Sequence, residues 1–439
     1  MRGSTLLFFE RVRFIYRRLF SIHEIETSFT LQLLTGASLF ILFRNFSGFI
    51  REGSITVEAF LNNNYLCWPY FLDCGELYFL HMLPNGYSQT ALYSGFLFLM
   101  ALIAYAIAKG KWTIAHLGIL ILWSWQTFAI FALSMELSSS YMYYATVLIA
   151  VFLFLPHKLF FSQFIFVFLY FLAATVKFHE GWILGSIFTS YETGLPFVSD
   201  AYAPVAANIL IIFQVFGSWF LLSQRMILQR VAFAFSLLFH VYSGILILYG
   251  FPILSILYLL ILFGPLYKKI EAPFDFRSIP GWALSLTLLI LQLFPILAIA
   301  GDHRITQEGN RFGLFMFEAN YQCVAERDVV FAENESERTV HFGSGRGDCD
   351  PYAHWFRTRN LCSRSDEGVE SVAFSLDVSI DGGPFYRIVD EENLCAVRYH
   401  SFTHNDWIQT PEGGARVVGY PVENKLFYYR NPLLPHVTF

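Results

Sequence analysis

Long runs of apolar residues, separated by short polar turns, fill roughly the first 300 positions of the chain. A helix needs about 20 apolar residues to cross a bilayer, and nine segments approach that length. They lie near residues 28–48, 89–108, 113–134, 141–156, 159–178, 203–223, 231–249, 251–267 and 281–300. The pattern therefore predicts a polytopic α-helical membrane protein with about nine transmembrane helices.

The pattern changes at about residue 301. Segments 372–380, 385–390 and 394–400 alternate or are rich in β-branched residues, and the turn sequences DGGP and PEGG separate them. Such runs are typical of short antiparallel strands, so we expect a mainly β C-terminal domain. The chain then divides into a basic amphipathic lead-in (1–27), a transmembrane domain (28–300) and an extracytoplasmic β-rich domain (301–439).

The basic residues indicate the orientation of the spans. Short cytoplasmic loops carry an excess of lysine and arginine, and the basic loops alternate regularly along the chain. They contain the N-terminal arginines, Lys109 and Lys111, His157 and Lys158, Arg225 and Arg230, and Lys268 and Lys269. The N-terminus is therefore predicted to be cytoplasmic, and the C-terminal domain periplasmic, luminal or extracellular.

Composition and net charge limit the class of partner. The chain is 55% hydrophobic and 14% charged, against about 25% charged residues in soluble domains. Its formal net charge is -5, with no block of basic residues, so no nucleic-acid partner is expected. Membrane lipids are expected to surround the helices.

The six cysteines all map to the outer side of the predicted topology, where an oxidising compartment favours disulfides. They are Cys67, Cys74, Cys323, Cys349, Cys362 and Cys395. Six cysteines allow 15 pairings, and the sequence does not select one. A bond between the first outer loop, residues 51–88, and the C-terminal domain would tie that domain to the membrane part.

One stretch concentrates the candidate chemistry. Residues 164–182 read FIFVFLYFLAATVKFHEGW, in which an apolar helix ends at Lys177, His179 and Glu180. An ionisable group at membrane depth indicates a functional site, whereas a terminal lysine also snorkels to the headgroups or pairs with Glu180 at i,i+3. His240, in the middle of a later span, is either a hydrogen-bonded core residue or a member of the same cavity.

Two motifs invite a metal-site interpretation, DCDPYAH (348–354) and HSFTH (400–404). Zinc sites favour close pairs of Cys or His with a second matching pair, and neither motif has one. We therefore expect no metal site and assign the cysteines to disulfides. GSGRGD (343–348) lacks the Lys-Ser/Thr of a phosphate-binding loop and is expected to be a mobile surface loop.

Four stretches together resemble the vitamin K-dependent γ-carboxylase superfamily through its shared transmembrane domain, the HTTM domain. They are YFLAATVKFHEGWILG (170–185), LCWPYFLD (66–73), LLFHVYSGILILYGFP (237–252) and NRFGLFMFEA (310–319). The resemblance covers roughly residues 20–320. It implies that Lys177 is the base that deprotonates a reduced quinone, and that Cys67 bonds a cysteine of the C-terminal region.

The chain also departs from the carboxylase pattern. The family's catalytic histidine falls in a loop that here reads Ser138-Ser139-Ser140-Tyr141, and Val176 stands where carboxylases can carry a second lysine. The outer domain is also smaller than its carboxylase counterpart. These differences argue against carboxylation.

Two functions stay open, and the sequence does not decide whether the chain is an enzyme. The favoured one is a membrane scaffold or maturation partner that docks another envelope or secreted protein at residues 301–439. The alternative is a membrane-embedded enzyme acting on a quinol-like or lipid substrate in the bundle. In it Lys177 is the base, His179 or Glu180 tunes that base, and His240 orients the substrate. A transporter ranks lowest, because paired broken half-helices are missing.

Overall fold

The computed structural model describes most of the chain. The described ranges are 2–52, 66–74, 87–128, 130–131, 135, 140–190, 194–246, 250–264, 278–311, 313–332, 335–363, 368–411 and 413–418. Ser138, Ser139, Lys268 and Lys269 lie outside them, as does the end of the chain from residue 419.

Helices make up most of the structure before residue 300, as the apolar runs predict. In chain order they are α1 (Arg2–Leu19), α2 (Ile22–Thr27), α3 (Phe29–Glu52), α4 (Tyr87–Ala108), α5 (Trp112–Phe128), α6 (Ser140–Phe154), α7 (Lys158–Thr175), α8 (Glu180–Ile183), α9 (Ser186–Thr189), α10 (Ala203–Val215), α11 (Met226–Leu246), α12 (Gly250–Phe263) and α13 (Ile279–Ala298). Two further helices follow, α14 (His303–Thr306) and α15 (Pro351–Cys362).

Four helices in the described ranges are long and apolar enough to cross a membrane. The qualifying segments are Phe29–Ser47, Lys158–Thr175, Met226–Gly244 and Ile279–Ala298. Other apolar helices, including α6, α10 and α12, are shorter. The segment in α7 is 89% buried within the protein, against 17% for that in α11. The α7 helix is therefore packed on all sides by protein, whereas α11 leaves most of its apolar surface uncovered.

The chain forms two compact units, each built from several separate stretches. The first consists of residues 1–65, 73–170 and 217–287, and the second of residues 66–72, 171–216 and 288–439. The second unit thus contains the β-rich part together with a piece of the first outer loop and the segment that follows α7.

Polar side chains join helices inside the first unit. Lys158 is fully buried, and its ammonium donates to the carbonyl oxygens of Phe152 and Leu153 at 2.6 and 3.0 Å. The carboxylate of Glu24 accepts from the backbone amides of His157 and Lys158 at 2.9 and 2.7 Å. Because helix ends leave backbone groups without partners, Lys158 caps the end of α6 and Glu24 caps the start of α7.

A five-stranded antiparallel sheet dominates the described part of the second unit. Its strands are β1 (Tyr321–Phe331), β2 (Ser336–Ser344), β3 (Val369–Ile380), β4 (Phe385–Glu391) and β5 (Arg416–Val418), in the spatial order β2-β1-β3-β4-β5. This confirms the predicted C-terminal β-rich part, including strands at 372–380 and 385–390. The expected strand at 394–400 is wrong, because that segment begins with a 3-10 helical turn at Leu394–Ala396 and contains no strand. The sequence did not predict α15, whose start Asp350 caps by accepting from the amide of Tyr352 at 3.0 Å.

Disulfide bonds are present as predicted, but the expected tie to the first outer loop is wrong. Cys323 bonds Cys349, and Cys362 bonds Cys395. These two bonds use all four cysteines after residue 301, so none is left for Cys67, although Cys67 and Cys74 are disulfide-bonded as well.

Hydrogen bonds hold the segment 66–72 against the C-terminal part of the second unit. The hydroxyl of Tyr352 donates to the carbonyl of Cys67, and Ser401 donates to the carbonyl of Pro69. The guanidinium of Arg359 donates to the carbonyl of Leu72 at 3.2 Å. These contacts replace the covalent link that the resemblance implied.

Candidate functional site

Lys177 is enclosed by protein. The α7 helix ends at Thr175, so Lys177 lies two residues beyond the candidate span, and it is only 3% exposed. Its ammonium donates to the carbonyl oxygen of Ala173 and lies 5.2 Å from the centre of the Trp182 ring. The snorkelling alternative is therefore wrong for this lysine, because its charged end points into the second unit.

Burial changes the acidity of Lys177. Desolvation disfavours a charged ammonium and lowers the pKa of Lys177 to about 7, although the nearby carboxylate of Glu318 acts in the opposite direction. Glu180, the acid that the sequence placed beside Lys177, is exposed. The acid that influences the lysine thus comes from residue 318 and not from the neighbouring turn.

Glu318 is a site residue that the sequence did not single out. It is 2% exposed, accepts from the hydroxyl of Tyr321 at 3.3 Å, and lies 3.3 Å from Nε of Arg346. A buried carboxylate requires such partners, because an unpaired buried charge is costly. Glu318 falls inside the stretch 310–319, which stood out in the sequence only for its resemblance to a family motif.

Arg346 gives the GSGRGD turn a structural contact, while Ser344, Gly347 and Asp348 of the same motif are exposed, as expected for a surface loop. Besides its ion pair with Glu318, its guanidinium donates to the carbonyl oxygens of Phe315 and Asn310 at 2.9 and 3.2 Å. The arginine of this motif therefore anchors the segment that carries Glu318.

His179 is held in a neutral, oriented state. Its Nδ1 lies 2.7 Å from Nη1 of Arg304, whose Nε donates to the two oxygens of Asp302 at 2.9 and 3.1 Å. Burial, reinforced by the charge of Arg304, lowers the pKa of His179 to about 4. With the arginine as donor, Nδ1 acts as an acceptor, so His179 does not serve as a charged group near neutral pH.

A second carboxylate, Asp381, lies beside His179. It follows β3 in a left-handed conformation (φ 55°), and its Oδ1 accepts from the amide of Asn320 at 2.8 Å. A Cβ atom built on Gly181 would lie 2.1 Å from Oδ2 of Asp381 and 3.1 Å from Cε1 of His179. Glycine at position 181 is thus required by this close approach. The DGGP sequence indicated a turn here but gave no sign of a site.

Burial raises the pKa of Asp381 to about 6. Groups whose pKa values approach neutrality are characteristic of functional sites, although structural networks also contain them. Trp182 links the segment after α7 to the segment that carries Glu318, since its indole nitrogen donates to the carbonyl of Phe317. The segment after α7 and the segments around residues 302, 318 and 381 therefore form one polar cluster, which we call the Lys177 cluster.

His240 is located in the first unit, whereas Lys177, His179 and Glu180 belong to the second. Its imidazole is fully buried, hydrogen-bonds through Nε2 to the hydroxyl of Tyr170, and packs against the rings of Phe239 and Phe251 at 4.9 and 5.9 Å. These contacts are those of a hydrogen-bonded core residue, the first of the two alternatives.

The motifs considered for metal binding have structural roles. Asp350 pairs with Arg311, and Nε2 of His354 lies 2.7 Å from the carbonyl of Asp348. Nδ1 of His404 lies 2.7 Å from the buried carboxylate of Glu308. Over the ranges that the structure describes, no three His, Cys, Asp or Glu side chains group into a metal site.

Comparison with known proteins adds no relative. No protein-family model, curated protein or solved structure matches this chain. The resemblance to the γ-carboxylase superfamily therefore rests on the four quoted motifs alone.

Proposed function

We propose that this chain is an integral membrane enzyme in which Lys177 is a general base for a weakly acidic, membrane-dissolved hydroxyl compound of the quinol class. In this proposal the protein is a member of the HTTM superfamily with about nine spans. Its N-terminus is cytoplasmic and residues 301–439 are extracytoplasmic. One observation carries the catalytic part: a lysine at the end of an apolar helix is enclosed by protein and has a pKa of about 7.

The proposed step is a single proton transfer. A general base is most effective when its pKa lies near the operating pH, and burial lowers the pKa of Lys177 to about 7, so neutral amine is available near neutral pH. The neutral nitrogen takes the hydroxyl proton of the substrate and becomes an ammonium, and the substrate becomes an oxyanion. The carboxylate of Glu318 then stabilises the ammonium, because opposite charges favour the charged form.

We propose no chemical step beyond proton abstraction by Lys177. The serines that replace the family's catalytic histidine lie at positions 138–140, and no residue of the Lys177 cluster is assigned to carboxylation. His179 and the Arg304–Asp302 pair hold the cluster in place, and Asp381 is the second group that titrates near neutral pH.

The test uses the full-length protein in lipid nanodiscs and a reduced naphthoquinone kept under anaerobic conditions. We expect the wild type to generate the quinolate anion, followed by its absorbance, with an apparent midpoint near pH 7. Lys177→Met should abolish this anion, whereas Lys111→Met, at an exposed lysine, should leave it unchanged. Equal anion formation by the wild type and Lys177→Met would refute the proposal.

A second function, a scaffold or maturation partner, is favoured by a different observation. Among the described strands β2 pairs with β1 alone, and Val340 and Phe342 on β2 are exposed. An uncovered edge strand can accept an extended segment of another protein. A photo-crosslinking residue at position 342 should then give a discrete adduct with an envelope or secreted protein in native membranes, and Val340→Lys should weaken it. Absence of an adduct would count against this role.

A further inference from the structure

The first helix, α1, has an exposed apolar stripe with arginines beside it. Val12, Ile15 and Leu19 are 47, 55 and 69% exposed, and their spacings of three and four residues place them on one face of the helix. Arg11 and Arg18 are exposed as well. Each is three or four residues from Ile15, so both lie next to the stripe. An apolar face bordered by basic residues is typical of helices that lie on membrane surfaces.

A different face of α1 packs against the helices of the first unit. The hydroxyl of Tyr16 lies 2.7 Å from Nδ1 of His116. The ring of Phe20, four residues further on, lies 5.3 Å from the ring of His116 and 6.0 Å from that of Phe154. These contacts fix α1 on the first unit and leave the apolar stripe exposed.

The contacts of α1 also define its level along the helices. His116 is four residues from Trp112, where α5 begins, and Phe154 is the last residue of α6. At 1.5 Å per residue, His116 lies about 6 Å from the start of α5. The apolar face of an interfacial helix penetrates about 5–10 Å below the membrane surface. The α1 helix is therefore held at the level of two helix ends, where such a helix belongs.

The charge at this level is strongly positive. The α1 helix contains five arginines and one acidic residue, Glu10. Arg17 is neutralised by Glu26 at 2.5 Å, whereas Lys109 and Lys111, just before α5, are exposed and add to the positive charge. Anionic lipids attract basic residues that lie close to the membrane surface. An anionic bilayer surface therefore complements both the stripe and the arginines.

We propose that α1 is an interfacial helix that binds anionic phospholipids. The stripe of Val12, Ile15 and Leu19 contacts acyl chains, and Arg11 and Arg18 bind the lipid phosphates. Arginine suits this role because its planar guanidinium donates two parallel hydrogen bonds to a phosphate. The inference uses the proposed membrane placement of the helices, which puts these lipids in the cytoplasmic leaflet, and it is independent of the chemistry of Lys177.

The lipid contact can be measured with a fluorophore on the full-length protein in nanodiscs. All six native cysteines are disulfide-bonded, so a bimane on Ile15→Cys has a single attachment site. The discs contain phosphatidylcholine with a minor share of phosphatidylglycerol, and one lipid or the other carries a nitroxide quencher near the top of its acyl chain. The ratio of the two quenching efficiencies gives the local enrichment of phosphatidylglycerol. The control is Leu297→Cys, since Leu297 is 77% exposed on α13, a helix without charged residues.

We expect several-fold enrichment of phosphatidylglycerol at position 15 and its bulk share at position 297. One arginine at a membrane surface changes lipid binding on the order of fivefold, so the double variant Arg11→Gln/Arg18→Gln should remove the enrichment. Arg338→Gln, at an exposed arginine of β2, should leave it unchanged. High salt should weaken it, because salt screens exposed charges.

Equal lipid shares at positions 15 and 297, or enrichment that survives Arg11→Gln/Arg18→Gln, would overturn the phosphate site. Normal quenching at 297 without quenching at 15 would overturn the interfacial placement, because water or a protein would then cover the stripe. Absence of quenching at both positions would overturn this inference together with the proposed membrane placement. None of these outcomes depends on quinol chemistry, so its failure is distinguishable from theirs.

Discussion

Replacing Lys177 with methionine should change how the stability of the protein depends on pH. Lys177 has a pKa of about 7 in the folded state, against an ordinary value of 10.5. Between these values the unfolded chain binds a proton that the folded protein releases, so the free energy of unfolding rises with pH. The slope for one group is about 1.4 kcal/mol per pH unit. From pH 7 to 9 the lysine thus contributes an increase of roughly 2–3 kcal/mol, which methionine removes.

The assay is chemical unfolding of the detergent-solubilised full-length protein at pH 7, 8 and 9, with disulfides intact. At pH 7 and below, the buried ammonium makes the wild type less stable than Lys177→Met. As pH rises the folded wild type loses this charge, so its free energy of unfolding approaches that of Lys177→Met and the gap between the two narrows. Below pH 7 the gap is greatest, because the folded wild type then carries the buried ammonium. The exposed Lys111 supplies the control variant Lys111→Met, whose difference from the wild type should not vary in this way.

Parallel stability curves for the wild type and Lys177→Met over pH 7–9 would contradict this prediction. Such a result would mean that Lys177 keeps the same pKa in the folded and unfolded chains. A gap that widens with pH would contradict the sign of the shift, and with it the claim that burial dominates over Glu318.

Two substitutions test other contacts of the cluster. Gly181→Ala should lower the thermal unfolding midpoint, because the added Cβ would lie 2.1 Å from Oδ2 of Asp381. The control is Gly36→Ala, since a Cβ at position 36 would meet no atom within 4 Å. Equal midpoints for the two variants would contradict the close approach at Gly181. Glu318→Gln should lower the pKa of Lys177 further, since the carboxylate raises it. The midpoint of quinolate formation should then move to lower pH, and an upward move would contradict the assigned influence.

Much of the fold could be predicted from the apolar runs. They predicted a mostly helical chain, and α3, α7, α11 and α13 do contain segments long and apolar enough to span a membrane. Alternation after residue 301 likewise predicted strands such as β3 and β4. Hydropathy is a local property, so it identifies helices well. It does not show that Glu24 caps the start of α7, because that contact joins positions far apart in the sequence. Nor does it show that Lys158 turns inward to cap the end of α6.

The site was predictable only where it is local in sequence. Lys177 and His179 stand out because charged residues are rare at the end of an apolar helix. Glu318, Arg346 and Asp381 did not stand out as members of a site. Their importance comes from long-range packing that brings three separate turns together, and each resembles an ordinary polar turn residue. The exposed Glu180 shows the converse error, since proximity along the chain did not place it beside the lysine.

The most direct test of the account is a titration of the Lys177 amine itself. Lysine labelled with ¹⁵N at Nζ is incorporated into the full-length protein in nanodiscs, and the resonance absent from Lys177→Met is assigned to residue 177. Its chemical shift is followed from pH 5 to 11. We expect a midpoint near pH 7. A midpoint near the ordinary 10.5 would contradict it, because the lysine would then be a solvated cation and not a buried base.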